Sequence, residues 1–191
     1  MHSCRKPGRS KTAPSVLPRM RAVFSGVEMG KKEAKTNAMR ILERAGVEYT
    51  SQSYECDEFT DGVHTADLLG LPHEQVFKTL VTLGADKQHY VFVIPIEKEL
   101  DLKKCARAAG VKSVSMIHVK ELFALTGYVR GGCTAIGMKK PFVTRIDASA
   151  QEMDRIYISG GRIGCQICLK PDDLLRTAHK AAYADLTMEA G

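Results

Sequence analysis

The most constraining stretch of this 191-residue chain is a pair of β-rich runs, Val76 to Leu83 and His89 to Ile96, joined by Gly84-Ala85-Asp86-Lys87-Gln88. The linker reads as a hairpin with a longer loop. In the second run, Tyr90-Val91-Phe92-Val93-Ile94 is apolar on both faces, the pattern of a central strand covered on two sides. In the first run, a period of two sets Phe77, Thr79, Val81 and Leu83 against Lys78, Leu80 and Thr82. Tyr90 to Ile94 is also the longest apolar stretch, far short of the ~18 residues of a bilayer-spanning helix, so no membrane segment is expected.

Around the hairpin, Ala34, Ala38, Ile41, Leu42 and Ala45 share one face of a helix predicted from Lys31, with Gly46 just past its end. Val47 to Tyr54 reads as an edge-like strand and His64 to Leu69 as a short helix closed by Gly70. Asp101 caps a helix that runs to Ala109 before Gly110. Lys112 to Met116 reads as a strand and Val119 to Leu125 as a helix, followed by β-runs at Phe142 to Ile146 and Arg155 to Ser159. Pro171-Asp172-Asp173 opens a C-terminal helix. Helices and strands mix without a regular βαβ alternation, which predicts an α+β fold: a curled mixed sheet with helices packed outside.

A composition of 44% apolar and 26% charged residues suits one globular domain. Of the net charge of +6, five units fall in residues 1–30, where Arg5, Lys6, Arg9, Lys11, Arg19 and Arg21 face only Glu28. The rest is nearly neutral, so contact with a polyanion needs a local patch and gives modest affinity. Pro7, Pro14 and Pro18 break any sustained period in residues 1–28, which read as a disordered basic extension of a single domain spanning 29–191. It reads as a nucleic-acid arm, a transit peptide or sequence upstream of a start at Met29; the prolines spoil the amphipathic helix a transit peptide needs. Six cysteines without an apolar leader suggest free thiols and a reducing, cytoplasmic setting.

Lys78 is the most unusual single placement. Its stem either covers Leu80 while the ammonium snorkels to water, or the ammonium forms the wall of a pocket for a phosphate or a developing oxyanion. The loop Gly127 to Lys140 holds Gly127, Gly131, Gly132 and Gly137, which allow close backbone approach to a ligand, and ends on Lys139-Lys140, a landing site for phosphate. A second loop, Ser159-Gly160-Gly161-Arg162-Ile163-Gly164, precedes Cys165-Gln166-Ile167-Cys168. The C-x-x-C pair lacks two further ligands at zinc spacing and lies in a β-like run where a redox pair normally opens a helix, so buried thiols are expected. The histidines are scattered, and no serine or cysteine sits in a nucleophile motif.

Lys35 to Arg40, Val76 to Leu80, Leu100 to Lys104, the Gly127 to Lys140 loop and Ile156 to Gly161, in that order, resemble the YbaK/EbsC family of aminoacyl-tRNA deacylases, which is related to the editing domain of prolyl-tRNA synthetase. The resemblance runs from about Lys31 to Leu186. It implies a barrel-like curled sheet and hydrolysis, in the cytoplasm, of cysteine mischarged onto proline tRNA. Its proposed mechanism is substrate-assisted: the cysteinyl thiol attacks its own ester, with no metal, cofactor or covalent enzyme intermediate. It makes Lys78 the main functional residue, places the Gly131-Gly132 backbone at the ester and terminal adenosine, and matches Tyr54 to a pocket-lining tyrosine. Thr79, Thr134, Gly137, Lys139, Lys140, Ser159, Gly160, Gly161 and Gln166 complete the expected substrate-binding set. The implied partners are the charged tRNA end and prolyl-tRNA synthetase. Thr134-Ala135 stands where many relatives have Ser-Pro, and Gln166 where some members have Asp; both leave the amino-acid preference open between cysteine and alanine. A non-catalytic binder of tRNA or a nucleotide end is the alternative that uses the same pocket, and a thiol redox or metal protein is the third.

Overall fold

The computed structural model describes residues 34–54 and 61–188. The predicted extension over 1–28 and the domain start at Met29 lie outside the described residues. The elements are α1 (Asn37–Arg44), β1 (Thr50–Ser53), α2 (Gly62–Leu69), β2 (Phe77–Gly84), β3 (His89–Pro95), α3 (Leu102–Ala109), β4 (Val114–Met116), α4 (Val119–Thr126), β5 (Val143–Asp147), β6 (Ile156–Ser159), β7 (Cys165–Leu169), α5 (Pro171–Thr177) and β8 (Ala182–Ala184).

Local chemistry sets the boundaries. The Asp101 carboxylate accepts from Lys103 N at 2.9 Å and Lys104 N at 3.1 Å, and Gly110 ends α3 at φ 73°, where a side chain is disfavoured. In α1, Thr36 Oγ1 accepts from Met39 N at 3.2 Å. That cap starts the helix at Asn37, and residues 34–36, predicted helical from the apolar period, lie outside it, with Thr36 extended.

The strands form a mixed five-stranded sheet in the order β4-β2-β3-β5-β8 and an antiparallel three-stranded sheet in the order β1-β7-β6. β3 is central, antiparallel to β2 and parallel to β5, and its neighbours on both faces differ. Val91 and Val93 join the main core with Phe77, Val81, Ile158, Ile167 and α1's Leu42. Tyr90, Phe92 and Ile94 join a second core with Cys105 and Ala106 of α3. β1 is an edge strand, as predicted. β8 continues the sheet parallel to β5, and its three residues, Ala182-Tyr183-Ala184, show no period that predicts a strand. Among the described residues the strands form two open sheets. One parallel bridge, Val76 to Tyr157, joins them.

Candidate active site

That bridge fixes the geometry of the candidate site. Two residues beyond Val76 on β2 and beyond Tyr157 on β6 stand Lys78 and Ser159, on the same face as the bridged pair because side chains alternate along a strand. Ser159 is the direct partner of Gln166 on β7, and Gln166 is the direct partner of Gln52 on β1. Ser159, Gln166 and Gln52 therefore form a row across three strands, and the Val76–Tyr157 bridge brings Lys78 of β2 to the Ser159 end of that row. The opposite faces of those strands carry Phe77, Ile158, Cys165 and Ile167 into the main core. The ladder continues one step past β1, with Tyr54 N donating to Gly164 O at 2.9 Å, and alternation puts the half-buried Tyr54 on the side of Gln52.

Lys78 is half-buried, and its Nζ donates to the Ile96 carbonyl at 2.9 Å. Burial pushes its pKa below the ordinary lysine value, while the Glu99 carboxylate pulls it back up. An ammonium has three donors, so two remain for other acceptors. α2 covers the adjoining part of the face: Ala66, Leu71, Val76 and Ile96 cluster there, with Tyr157 packed against them.

The glycine turns close the end of the row. Gly160 N donates to Cys165 O at 2.8 Å, which carries the β6–β7 hairpin past Ser159. A Cβ added at Gly132 would lie 3.0 Å from the Arg162 carbonyl carbon and from Ile163 N, so the loop containing Gly131 and Gly132 presses on the backbone of that hairpin turn. The start of α1 touches both loops. Asn37 Nδ2 donates to Gly137 O at 3.1 Å, and Gly161 leaves room for Thr36, Ala38 and the ring of Tyr128. The Tyr128 hydroxyl donates to Ile136 O at 2.7 Å and braces the loop from within. Thr134 is fully buried, and its Oγ1 has no partner among the described residues.

Other predicted positions lie elsewhere. Thr79 points to the side of β2 opposite Lys78 and pairs with Val93. The Lys139 ammonium sits 4.8 Å from the Phe123 ring centre on α4. Lys140 lines a cavity of about 190 Å³ between the glycine loop, at Ala135, Gly137 and Met138, and the end of α5, at Thr177 and His179. Cys165 and Cys168 point to opposite faces of β7 and, at ~3.3 Å per residue, stand about 10 Å apart along the strand, too far to act as a pair. Burial pushes the Cys133 thiol up to about 12, so it is no nucleophile at neutral pH. Gln52, Asn37 and Tyr128 carried no assignment from sequence. For Gln52 no local signal exists, because its place beside Gln166 depends on the β1–β7 pairing.

A family model described as an aminoacyl-tRNA editing domain matches residues 60–177. The candidate Cys-tRNA(Pro)/Cys-tRNA(Cys) deacylase EbsC of Enterococcus faecalis is 43% identical over 158 residues, spanning 82% of this chain and 96% of the relative. Two solved structures share the fold. One, a candidate trans-editing enzyme for prolyl-tRNA synthetase, is 23% identical, with a TM-score of 0.68 over 81% of this chain and 99% of its own. The other, the hypothetical protein APE2540, is 24% identical, with a TM-score of 0.70 over 78% and 97%.

Proposed function

The chain belongs to the aminoacyl-tRNA editing domain family, and on that premise we propose that it hydrolyses mischarged aminoacyl-tRNA, with cysteinyl-tRNA(Pro) as its substrate. The observation that carries this reading is the alignment of Lys78 with Ser159 and Gln166 across the bridge between the two sheets, beside two glycine turns in backbone contact. We treat the two sheets as one curled surface hinged at the Val76–Tyr157 bridge, with the aminoacyl end lying in its concavity.

The chemistry this site suits is positioning and charge stabilisation. The cysteinyl thiol attacks its own ester carbonyl. A carbon–sulfur bond forms as the bond to the ribose oxygen breaks, and the thiol proton passes to that oxygen. The first product is a thiolactone, released in a lyase-type step and later opened by water. Lys78 keeps one hydrogen bond to Ile96 O and directs a second donor at the tetrahedral oxyanion. Its partial burial strengthens that interaction. Backbone N–H groups of Gly131 and Gly132 hold the ester and the terminal adenosine, while Tyr54, Thr134, Ser159, Gly160, Gly161 and Gln166 shape the pocket. Thr79 contributes through its backbone. Gly137 shapes the loop, and Lys139 and Lys140 meet phosphates of the tRNA outside it. Five of the chain's six net positive charges fall in residues 1–30, so tRNA affinity rests on local contacts and on prolyl-tRNA synthetase as a partner in the cytoplasm.

Deacylation of a panel of cysteinyl-, alanyl-, prolyl- and seryl-tRNA tests the reading. Cysteinyl-tRNA(Pro) is cleaved fastest, with thiolactone as the trapped product. Faster cleavage of alanyl-tRNA reassigns the substrate and removes the thiol mechanism. Salt-sensitive binding of every tRNA without cleavage of any overturns the enzymatic reading.

A further inference from the structure

Two buried side-chain oxygens in the row, Gln52 Oε1 and Gln166 Oε1, have no hydrogen-bond partner among the described residues. They belong to residues directly opposed on β1 and β7. Gln166 is only 8% exposed. A buried acceptor left unpaired is costly, and native chains keep few of them. Two such acceptors side by side, on a face that also carries Lys78 and Ser159, are explained by a donor that arrives with the ligand.

The ligand class follows from the chemistry required. The donor must offer at least two N–H groups and no competing acceptor, and it must lie close to the carbonyl that Lys78 addresses. An aminoacyl ester carries one such group, the α-ammonium, one carbon from the ester carbonyl. We propose that the side-chain oxygens of Gln52 and Gln166 together hold the α-ammonium of the aminoacyl group, making Gln52 a substrate-binding residue that selects a free amine. The assignment rests on the deacylase reading and adds to it the group recognised. The two carboxamides are uncharged, and an acylated amine keeps a single N–H, so the site disfavours an N-blocked aminoacyl group by leaving at least one acceptor unpaired instead of by repulsion. Peptidyl-tRNA and formylated aminoacyl-tRNA, which carry acylated amines, are thereby spared.

Gln52→Met and Gln166→Met, singly and together, keep side-chain length while removing the acceptors. Cleavage is measured on cysteinyl-tRNA(Pro) and N-acetyl-cysteinyl-tRNA(Pro). Equilibrium binding is measured with amide-linked, uncleavable cysteinyl-adenosine and its N-acetyl form. The wild type is expected to favour the free amine about tenfold or more in both assays, and the double variant to treat the two forms alike. Thermal unfolding should show the variants as stable as the wild type or more so, because an unpaired buried amide has been removed. Equal wild-type handling of free and acetylated ligand overturns the proposal. So does an unchanged preference in the double variant, or a loss of stability that accompanies the loss of preference. If the wild type cleaves neither tRNA yet binds the free-amine adenosine preferentially, the deacylase reading falls and the ammonium site stands.

Discussion

Replacing Gly132 with alanine probes the contact between the two glycine turns directly. The new Cβ would lie 3.0 Å from the carbonyl carbon and Cα of Arg162 and 3.0 Å from Ile163 N, whereas ordinary contact begins at 3.4 Å. All three are backbone atoms, so no side chain can swing aside, and the turns must separate by about 0.4 Å. Gly132 is not one of the glycines with positive φ, so alanine adds no strain in its own backbone and the whole effect is steric. Overpacking of this kind costs about 1–3 kcal/mol. For a domain of this size that corresponds to a melting-temperature drop of roughly 2–12 °C. A displacement of ~1 Å in a catalytic site costs about a hundredfold, so the smaller shift here should lower kcat/KM for cysteinyl-tRNA(Pro) roughly sixfold. Gly46→Ala is the control: that residue has φ +64° but open space around its Cβ, so it should lose about 1 kcal/mol of stability and no activity. Thermal unfolding and initial-rate deacylation read both effects. A Gly132→Ala protein that melts within about 1 °C of wild type and is fully active would refute the contact between the turns.

The buried thiols and one exposed ion cluster give further expectations. Cys133, its thiol raised to about 12 by burial, should resist iodoacetamide in the folded protein at neutral pH; rapid alkylation found by peptide mapping would contradict its placement. Cys168→Ala should retain deacylation within about threefold, because that sulfur faces away from Cys165 and the two share no chemistry; loss of activity together with bound metal in the wild type would restore the paired-thiol reading. His73 bonds Glu97 through Nδ1 at 2.7 Å and Asp67 through Nε2 at 2.8 Å, tying α2 to the segment after β3. These two carboxylates, Glu97 first, raise its pKa. The stability this contributes is therefore fully present below the unfolded value of about 6.5 and is lost as pH rises through the folded value. Urea unfolding should separate wild type from His73→Gln clearly near pH 5 and progressively less at alkaline pH, and an equal gap at both ends would show that the ion cluster is idle.

Elements with both a start and a stop signal were legible in the sequence. α3 has Asp101 at one end and Gly110 at the other, and both act as caps in the structure. The β2–β3 hairpin followed from its period of two, and the burial of β3 on both faces followed from its unbroken apolar run. The apolar spacing continues through Ala34 and predicts a longer α1, while the Thr36 hydroxyl settles the boundary by a hydrogen bond that periodicity does not see. The two-sheet pairing was not legible, since register between strands far apart in sequence depends on tertiary packing. The same reason hid the site's construction. Lys78 stood out alone as a cation in a β-rich run, and its alignment with Ser159, Gln166 and Gln52 exists only once β2 meets β6 and β7 meets β1. The glycine loops were visible as glycine-rich, whereas their mutual contact at Gly132 and their bracing by Tyr128 and Asn37 required coordinates.

Single-turnover cleavage of cysteinyl-tRNA(Pro) by wild type and by Lys78→Ala tests the central claim most directly. Removal of one preorganised donor to a developing oxyanion predicts a loss of about 10²–10³ in the rate of the chemical step, with tRNA binding nearly unchanged. Equal rates for the two proteins would contradict the account.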